Sequence, residues 1–444
     1  MPSRILFLLL FNSCFTPSIW SQQEVSLNFL RQAWQANKIN PAIVQPYGLV
    51  LGDVGLRTSE SFDGPTYNQI VTRQQGKPVI QVERFINQLD PVNTVRSDIE
   101  FSTFSAAYRL GKATISLGHA LRYHGFVQFP KTLPQLVWQG NAQFIGESVN
   151  LGNELQLTGY HELAAGLALE TGPLTLGVRG KLLSGISNAS TDETYRSATL
   201  YTDPDVYQIT LDGNYVLHTN NTLRYENYSD LDANFDIGRL TFDRFFSQNR
   251  GFALDLGARL QLGKADLALS VIDLGKINWD NEVVNYRATQ TWLYDGLDFS
   301  GALTGEGVSF DDALDTLEQL FQVEKTADSY SISLPRKVNF SALWQFNTTW
   351  RAGIAFVQEN FRRASYNALA AGLNARLIPA LDLGVSYAIM ENRSYDNVGL
   401  NFTLKLGPLQ LYGMTDNVIS LLKPGDANFF TAGLGAVVLL HPQE

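Results

Sequence analysis

Cysteine is almost absent from this chain: Cys14 is the only one in 444 residues. A disulfide framework is therefore excluded. Charge is thin as well. Asp, Glu, Lys and Arg make up 17% of the sequence, against roughly 25% in soluble domains. The formal net charge is −10, which argues against nucleic acid, whose binders carry basic patches. Beyond the first residues no run approaches the roughly 18 consecutive apolar residues of a membrane-crossing helix. Catalytic signatures are missing too. There is no G-x-S-x-G elbow, no H-E-x-x-H, no C-x-x-C and no P-loop. His119 and His124 lie five apart on one expected strand and so face opposite sides, as do neighbours His161 and Glu162. Neither pair suits a shared metal. Gly433-Leu434-Gly435 precedes no helix and is strand glycine rather than a nucleotide loop. The expectation is a protein with no enzymatic activity, no cofactor and no metal.

What the chain does have is one pattern repeated many times. In Phe252 to Leu262 (FALDLGARLQL) every second residue is apolar, with Asp255, Gly257, Arg259 and Gln261 between. Leu174, Leu176, Val178 and Leu182 alternate in the same way, and so do Val398 to Leu406. Successive strand residues point to opposite faces, so one face is greasy and the other polar or small. The expected strands run to about 10–12 residues, longer than the roughly 5–6 of soluble sheets. Only helices and closed barrels satisfy the backbone in lipid. The fold class is therefore all-β, a transmembrane antiparallel β-barrel with lipid outside and water inside.

Six short turns punctuate the alternation: Gly111-Lys112, Gly172-Pro173, Gly263-Lys264, Asn347 to Thr349, Pro379-Ala380 and Gly407-Pro408. Such turns close antiparallel hairpins. Strands are expected near 47–58, 99–110, 113–124, 159–170, 174–186, 250–262, 265–274, 337–347, 350–360, 366–377, 381–391, 396–406, 409–417 and 428–440. That makes fourteen, or sixteen if a hairpin in 194–217 joins the wall. Short turns then lie on the periplasmic side and long loops outside, with both termini periplasmic.

The expected divisions are a signal peptide at 1–21, an N-terminal plug-like segment at 22–46, and the barrel at 47–440 with a helical loop insert at 275–336. The signal peptide rests on Arg4, the apolar run Ile5 to Phe11, and small residues at Ser18 and Ser21. In 22–46, Val25, Phe29, Ala33 and Trp34 have helical spacing, either for a helix under the barrel or for a plug. Residues 131–151, with Trp138 and Phe144, mix large apolar side chains with glycine and are expected to fold into the barrel mouth. In the insert, Ser309 can cap a helix whose apolar face runs from Phe310 to Phe321.

Candidate lumen residues follow from strand parity: Arg179, Lys181, Asp255, Arg259, Arg376 and Lys405, with Asp212 and Asp382 beside them. Both signs are present, so no ion selectivity follows. Trp34, Asn40, Pro41, Trp138 and Phe144 are the candidate plug and mouth residues. Trp344, Phe346, Tyr366, Tyr387, Tyr412, Phe429 and Phe430 read as an interfacial girdle. Phe429 and Phe430 also read as an internal insertion signal, because the chain ends in His441-Pro442-Gln443-Glu444 rather than in an aromatic residue.

Asn40-Pro41-Ala42, the segment WQGNAQFIG (138–146) and LYGMTDNV (411–418) resemble an outer-membrane barrel family of Bacteroidota without an established activity. That family is similar in fold to the FadL long-chain fatty-acid transporters. The resemblance implies about fourteen strands, an N-terminal segment near the lumen, a place in the bacterial outer membrane, and binding or passage of a small hydrophobic compound. The alternative is a non-transporting barrel that docks an envelope or secretion-machinery protein. The expected partners are outer-membrane lipid, a hydrophobic small molecule or an envelope protein, and no nucleic acid.

Overall fold

A computed structural model describes residues 25–220, 223–227, 230–233, 248–294, 323–362, 364–390 and 397–442. The expected signal peptide, residues 22–24 and the helix at 309–321 lie outside the described residues.

The wall has fourteen strands, as the alternation predicts. They are β1 Tyr47–Phe62, β2 Val92–Leu110, β3 Ala113–Pro130, β4 Glu154–Thr171, β5 Leu174–Thr202, β6 Arg250–Leu262 and β7 Ala265–Trp279. The second half is β8 Arg336–Gln345, β9 Trp350–Phe361, β10 Ala364–Ile378, β11 Leu381–Met390, β12 Val398–Leu406, β13 Leu409–Thr415 and β14 Phe429–Pro442. Each strand pairs antiparallel with the next, and β1 pairs with β14 from Tyr47↔Pro442 to Ser61↔Phe429. That last pairing removes the sheet edges, which lipid could not hydrogen-bond.

The hairpin ends are built by local chemistry. Gly111, Gly172, Gly263 and Gly407 have φ of 58 to 65°. Each is the first residue of a two-residue turn, where the primed hairpin geometries need a positive φ. At the Asn347 to Thr349 turn the Asn347 side chain accepts from the backbone N–H of Thr349 and Trp350, both at 2.9 Å. All six short turns lie at one end, together with Tyr47 and Pro442.

The 194–217 hairpin does not join the wall. β5 runs for 29 residues, about three times the 9–11 that cross a bilayer. Its outer part turns back into strand Ile209–Asn220, which pairs with strand Val283–Tyr294. These three strands form an extension at the long-loop end. Alternation identifies a strand but not its membership of a closed cylinder, so the count is fourteen and not sixteen. Asp212 lies on this extension, exposed and bonded by Thr291, and so is not a lumen residue.

The outer face is apolar around the barrel. Leu117, Leu176, Leu269, Ile354, Leu369 and Leu434 are all exposed on their strands. Their inward neighbours are charged, polar or small. A cationic side chain on the lipid face costs about 2–4 kcal/mol at the bilayer midplane. Leu369→Arg is expected to lower unfolding stability in vesicles by that amount, and Asp212→Ala to leave it unchanged. Equal urea midpoints for Leu369→Arg and wild type would remove lipid from this face.

Candidate functional site

The lumen is occupied by the chain's own N-terminal segment. Residues 25–46 form short turns, with a 3-10 turn at Ser26–Asn28 and a helix at Ala36–Ile39. Nearly every residue in it is buried. The segment packs among inward-facing wall side chains. Wall side chains satisfy much of its backbone, so it needs no long helix. Asp416 accepts from the backbone N–H of Val25 at 3.2 Å and of Ser26 at 2.8 Å. Gln410 accepts from Trp34 N–H and donates to the Gln32 carbonyl. Arg351 donates to the Phe29 carbonyl, and Arg31 to Ser341 Oγ. Burial pushes Arg31 down to about 10, outweighing the attraction of Asp266.

Two of the sequence candidates form the plug's second anchor. Asn40 Nδ2 donates to the carbonyls of Leu269 and Ala258, at 3.0 and 3.3 Å. Its Oδ1 accepts from Ala42 N–H. This turn presses on two wall glycines. A Cβ on Gly257 would stand 2.1 Å from Asn40 Oδ1 and 2.9 Å from Pro41 Cδ. One on Gly177 would stand 2.4 Å from the Ala42 nitrogen and the Pro41 carbonyl carbon. Trp34, also a candidate, is buried and donates from Nε1 to Ser105 Oγ at 3.1 Å.

Beside the plug lies a network of buried charge. Lys181 Nζ sits 2.6 Å from Asp273, 2.9 Å from Asp255 and 3.6 Å from Glu162. Arg122 reaches Asp273 and Glu162, each at 3.0 Å. Arg179 reaches Asp255 at 3.3 Å and the plug carbonyls of Asn37 and Lys38. The plug's Lys38 lies 3.1 Å from Glu100 and 3.3 Å from Asp53, and Arg57 pairs with Glu100. Five cations (Lys38, Arg57, Arg122, Arg179, Lys181) face five carboxylates (Asp53, Glu100, Glu162, Asp255, Asp273). The group has no net charge, which makes its burial tolerable. A cavity of about 100 Å³ opens among Trp34, Lys38, Arg57, Glu100, Arg122 and Lys181.

A bulge completes the network. Leu254 pairs with Leu274, but Leu256 pairs with Val271, so Ile272 and Asp273 together oppose Asp255. Asp273 has φ 61°, and its N–H donates to Asp255 Oδ1 at 2.8 Å. Asp tolerates this backbone better than most residues.

Arg179, Lys181 and Asp255 are thus lumen residues in one network. Arg259 is inward too and pairs with Asp266 at 2.7 Å. Arg376 and Lys405 lie at the turn end: Arg376 meets Asp382 at 3.4 Å, and Lys405 meets Tyr47 Oη at 3.3 Å. Parity misses Asp273 because of the bulge. It would have found Arg122, whereas Glu100 lies before a second bulge, at Thr103, that reverses parity along β2. The histidines split as expected: His124 faces inward to Asp98 and Tyr160, whereas His119 meets His161 on the other face.

The opposite lumen wall carries an apolar stripe between buried polar residues such as Arg351, Glu359 and Asn374. Ala355, Val357, Ala368, Ala370, Ala388 and Met390 form a stripe covered by Val25, Phe29 and Phe429. Phe29 packs so tightly on Gly372 that a Cβ there would lie 2.7 Å from its ring. Phe429 and Tyr412, each 1% exposed, therefore belong to the lumen and not to the girdle. Tyr366 lies under Arg96, 4.5 Å from ring centroid to guanidinium. Trp344, Phe346 and Tyr387 are exposed as a girdle would be. Trp138 and Phe144 lie at the long-loop end of the barrel. The helix Thr132–Gln139 packs Trp138 edge-on against Phe85, and Ser148–Asn150 pairs with the outer part of β5. This segment caps the tall side of the wall, where Val137 and Trp138 are exposed.

Residues 41–416 match a family of unknown function, DUF5723. The chain belongs to that family. No curated protein matches it. Among solved structures it is similar to the Ralstonia pickettii toluene transporter TbuX, at 8% identity and TM-score 0.42, over 92% of this chain and 94% of that one. The Pseudomonas putida toluene transporter TodX gives 10% identity and TM-score 0.43, over 92% and 94%. The translocator domain of the autotransporter NalP from Neisseria meningitidis gives 7% and 0.32, over 93% and 98%. Scores this low carry no function across.

Removing one member of a buried charge network strands its partners and costs about 3–5 kcal/mol. Asp273→Ala should lose that much in urea unfolding. A loss no larger than that of a surface substitution would mean that Lys181 and Arg122 are solvated.

Proposed function

We propose that the protein is a gated barrel of the bacterial outer membrane that binds or passes a small hydrophobic compound, reached after cleavage of a signal peptide. The observation that carries this reading is the division of the lumen. One wall is charged and holds the second half of the plug. The other carries a stripe of alanines with Val357 and Met390, and the plug's own Val25 and Phe29 cover it. A small apolar molecule could take the place of those two side chains against the stripe. The reading assigns no catalysis. A hydrophobic compound loses little to a surface of alanines and gains by leaving water, at about 25 cal/mol per Å² of apolar area.

Deleting residues 22–46 tests the plug. The full chain in a planar bilayer is expected to be silent, and the deletion to show steady ohmic conductance. Unchanged conductance and unchanged uptake of a hydrophobic dye by liposomes in the deletion would sink the plug reading. Within the intact plug, Ala370→Trp fills the stripe. It should reduce dye uptake and leave the silent baseline as it is. Uptake at the wild-type rate would place the route elsewhere.

A further inference from the structure

The motif LYGMTDNV ends in a feature that a plugged lumen does not account for. After Thr415 the chain leaves the wall and forms a short helix, Val418–Leu422. Ser420 faces inward and is buried, whereas Ile419, Leu421 and Leu422 are 37, 51 and 76% exposed. Lys423, next to them, is exposed as well. Three large apolar side chains on one turn are unusual at a surface that meets only water.

The position of the helix identifies what covers it. β13 has seven residues and β12 nine, where crossing the hydrocarbon takes about 9–11. With a rise of about 3.3 Å per residue and a tilt near 40°, seven residues climb about 17 Å. The apolar band of such barrels is about 25 Å tall. The chain therefore leaves β13 while still at the height of the bilayer. β14 continues upward alone on that side: its last pair with β13 is Met414↔Gly433, and Phe429 to Thr431 pair with β1. The helix fills this notch, touching β12 and β14. Its apolar residues continue the lipid-facing row of Leu400 and Leu434.

The helix is also firmly rooted. Asn417 caps it through Ser420 N–H at 3.1 Å and donates from Nδ2 to the Phe429 carbonyl. Asp416 N–H donates to Thr431 Oγ1. A rooted turn presents its side chains in one direction.

We infer that Val418–Leu422 is a membrane-interface element, with Ile419, Leu421 and Leu422 seated in the outer leaflet and Lys423 reaching the headgroups. Lysine beside an apolar face is suited to that boundary. This rests on the barrel's seat in a bilayer, which the test reads separately.

The full chain carrying Cys14→Ser offers a background for single labelled cysteines. An environment-sensitive fluorophore is placed in turn at Leu422→Cys, at Leu434→Cys on the lipid face, and at Val206→Cys on the tip of the β5 extension, in phosphatidylcholine vesicles. The Leu422 probe should match the Leu434 probe: blue-shifted, losing most of its emission to nitroxide-labelled lipid and little to aqueous iodide. A Leu422 probe that behaves like Val206, quenched by iodide and not by lipid, overturns the inference and leaves water or a protein partner as its cover. A Leu434 probe quenched by iodide would instead overturn the bilayer seat. All three sites are exposed, so none of the substitutions disturbs packing.

Discussion

Backbone hydrogen bonding in lipid governs this structure. Each amide and carbonyl within the bilayer needs a partner inside the protein, because an unmet group there costs several kcal/mol. Closure of β1 on β14 meets that demand for the wall. It also forces every inward side chain of fourteen strands into one enclosed space. A cylinder of this girth is too wide for wall side chains alone to fill, so something else must occupy it. The plug does so with turns whose loose backbone groups are met by Asp416, Gln410, Arg351 and Ser270.

The same enclosure explains the pairing of charges. A lone lysine in the lumen would be isolated from bulk water, so Lys181 and Arg122 each stand among three carboxylates. Equal numbers of opposite charges give the group no excess of either sign. A charged lumen is commonly read as an aqueous path, but here the charges face one another and hold Lys38, Asn37 and the wall together. Their arrangement is that of a fastening.

Much of the wall was legible because its signals are local. Period-two alternation located all fourteen strands, and four turn glycines marked the hairpin end. Parity alone placed Arg179, Lys181, Asp255 and Arg259 in the lumen. What failed was information that is not local. A bulge of one residue turned Asp273 inward against parity. Tyr412 and Phe429 look like girdle aromatics in sequence, and only the plug beside them shows that they face inward. The strand at 194–217 has proper alternation, yet whether it joins the cylinder depends on its neighbours' reach.

The two halves of the plug differ in what displacing them would expose. Residues 35–46 carry Lys38, the Asn37 and Lys38 carbonyls bound by Arg179, and the Asn40-Pro41 turn wedged on Gly177 and Gly257. Lifting that half would strand buried charges, at several kcal/mol each. In residues 25–34, Val25 and Phe29 rest on alanines, Leu27, Leu30 and Ala33 pack with Tyr412 and Met414, and Trp34 packs with Val50, Ala107, Val437 and Leu439. Displacing Val25 and Phe29 would expose small apolar side chains and break their backbone hydrogen bonds to Asp416 and Arg351, and lifting the whole stretch would also part buried Arg31 from Asp266. The chain is also continuous with β1 at the charged end. Charge, wedge and covalent connection all fix residues 35–46, whereas apolar packing and backbone hydrogen bonds hold Val25 and Phe29 on the Ala355–Met390 stripe.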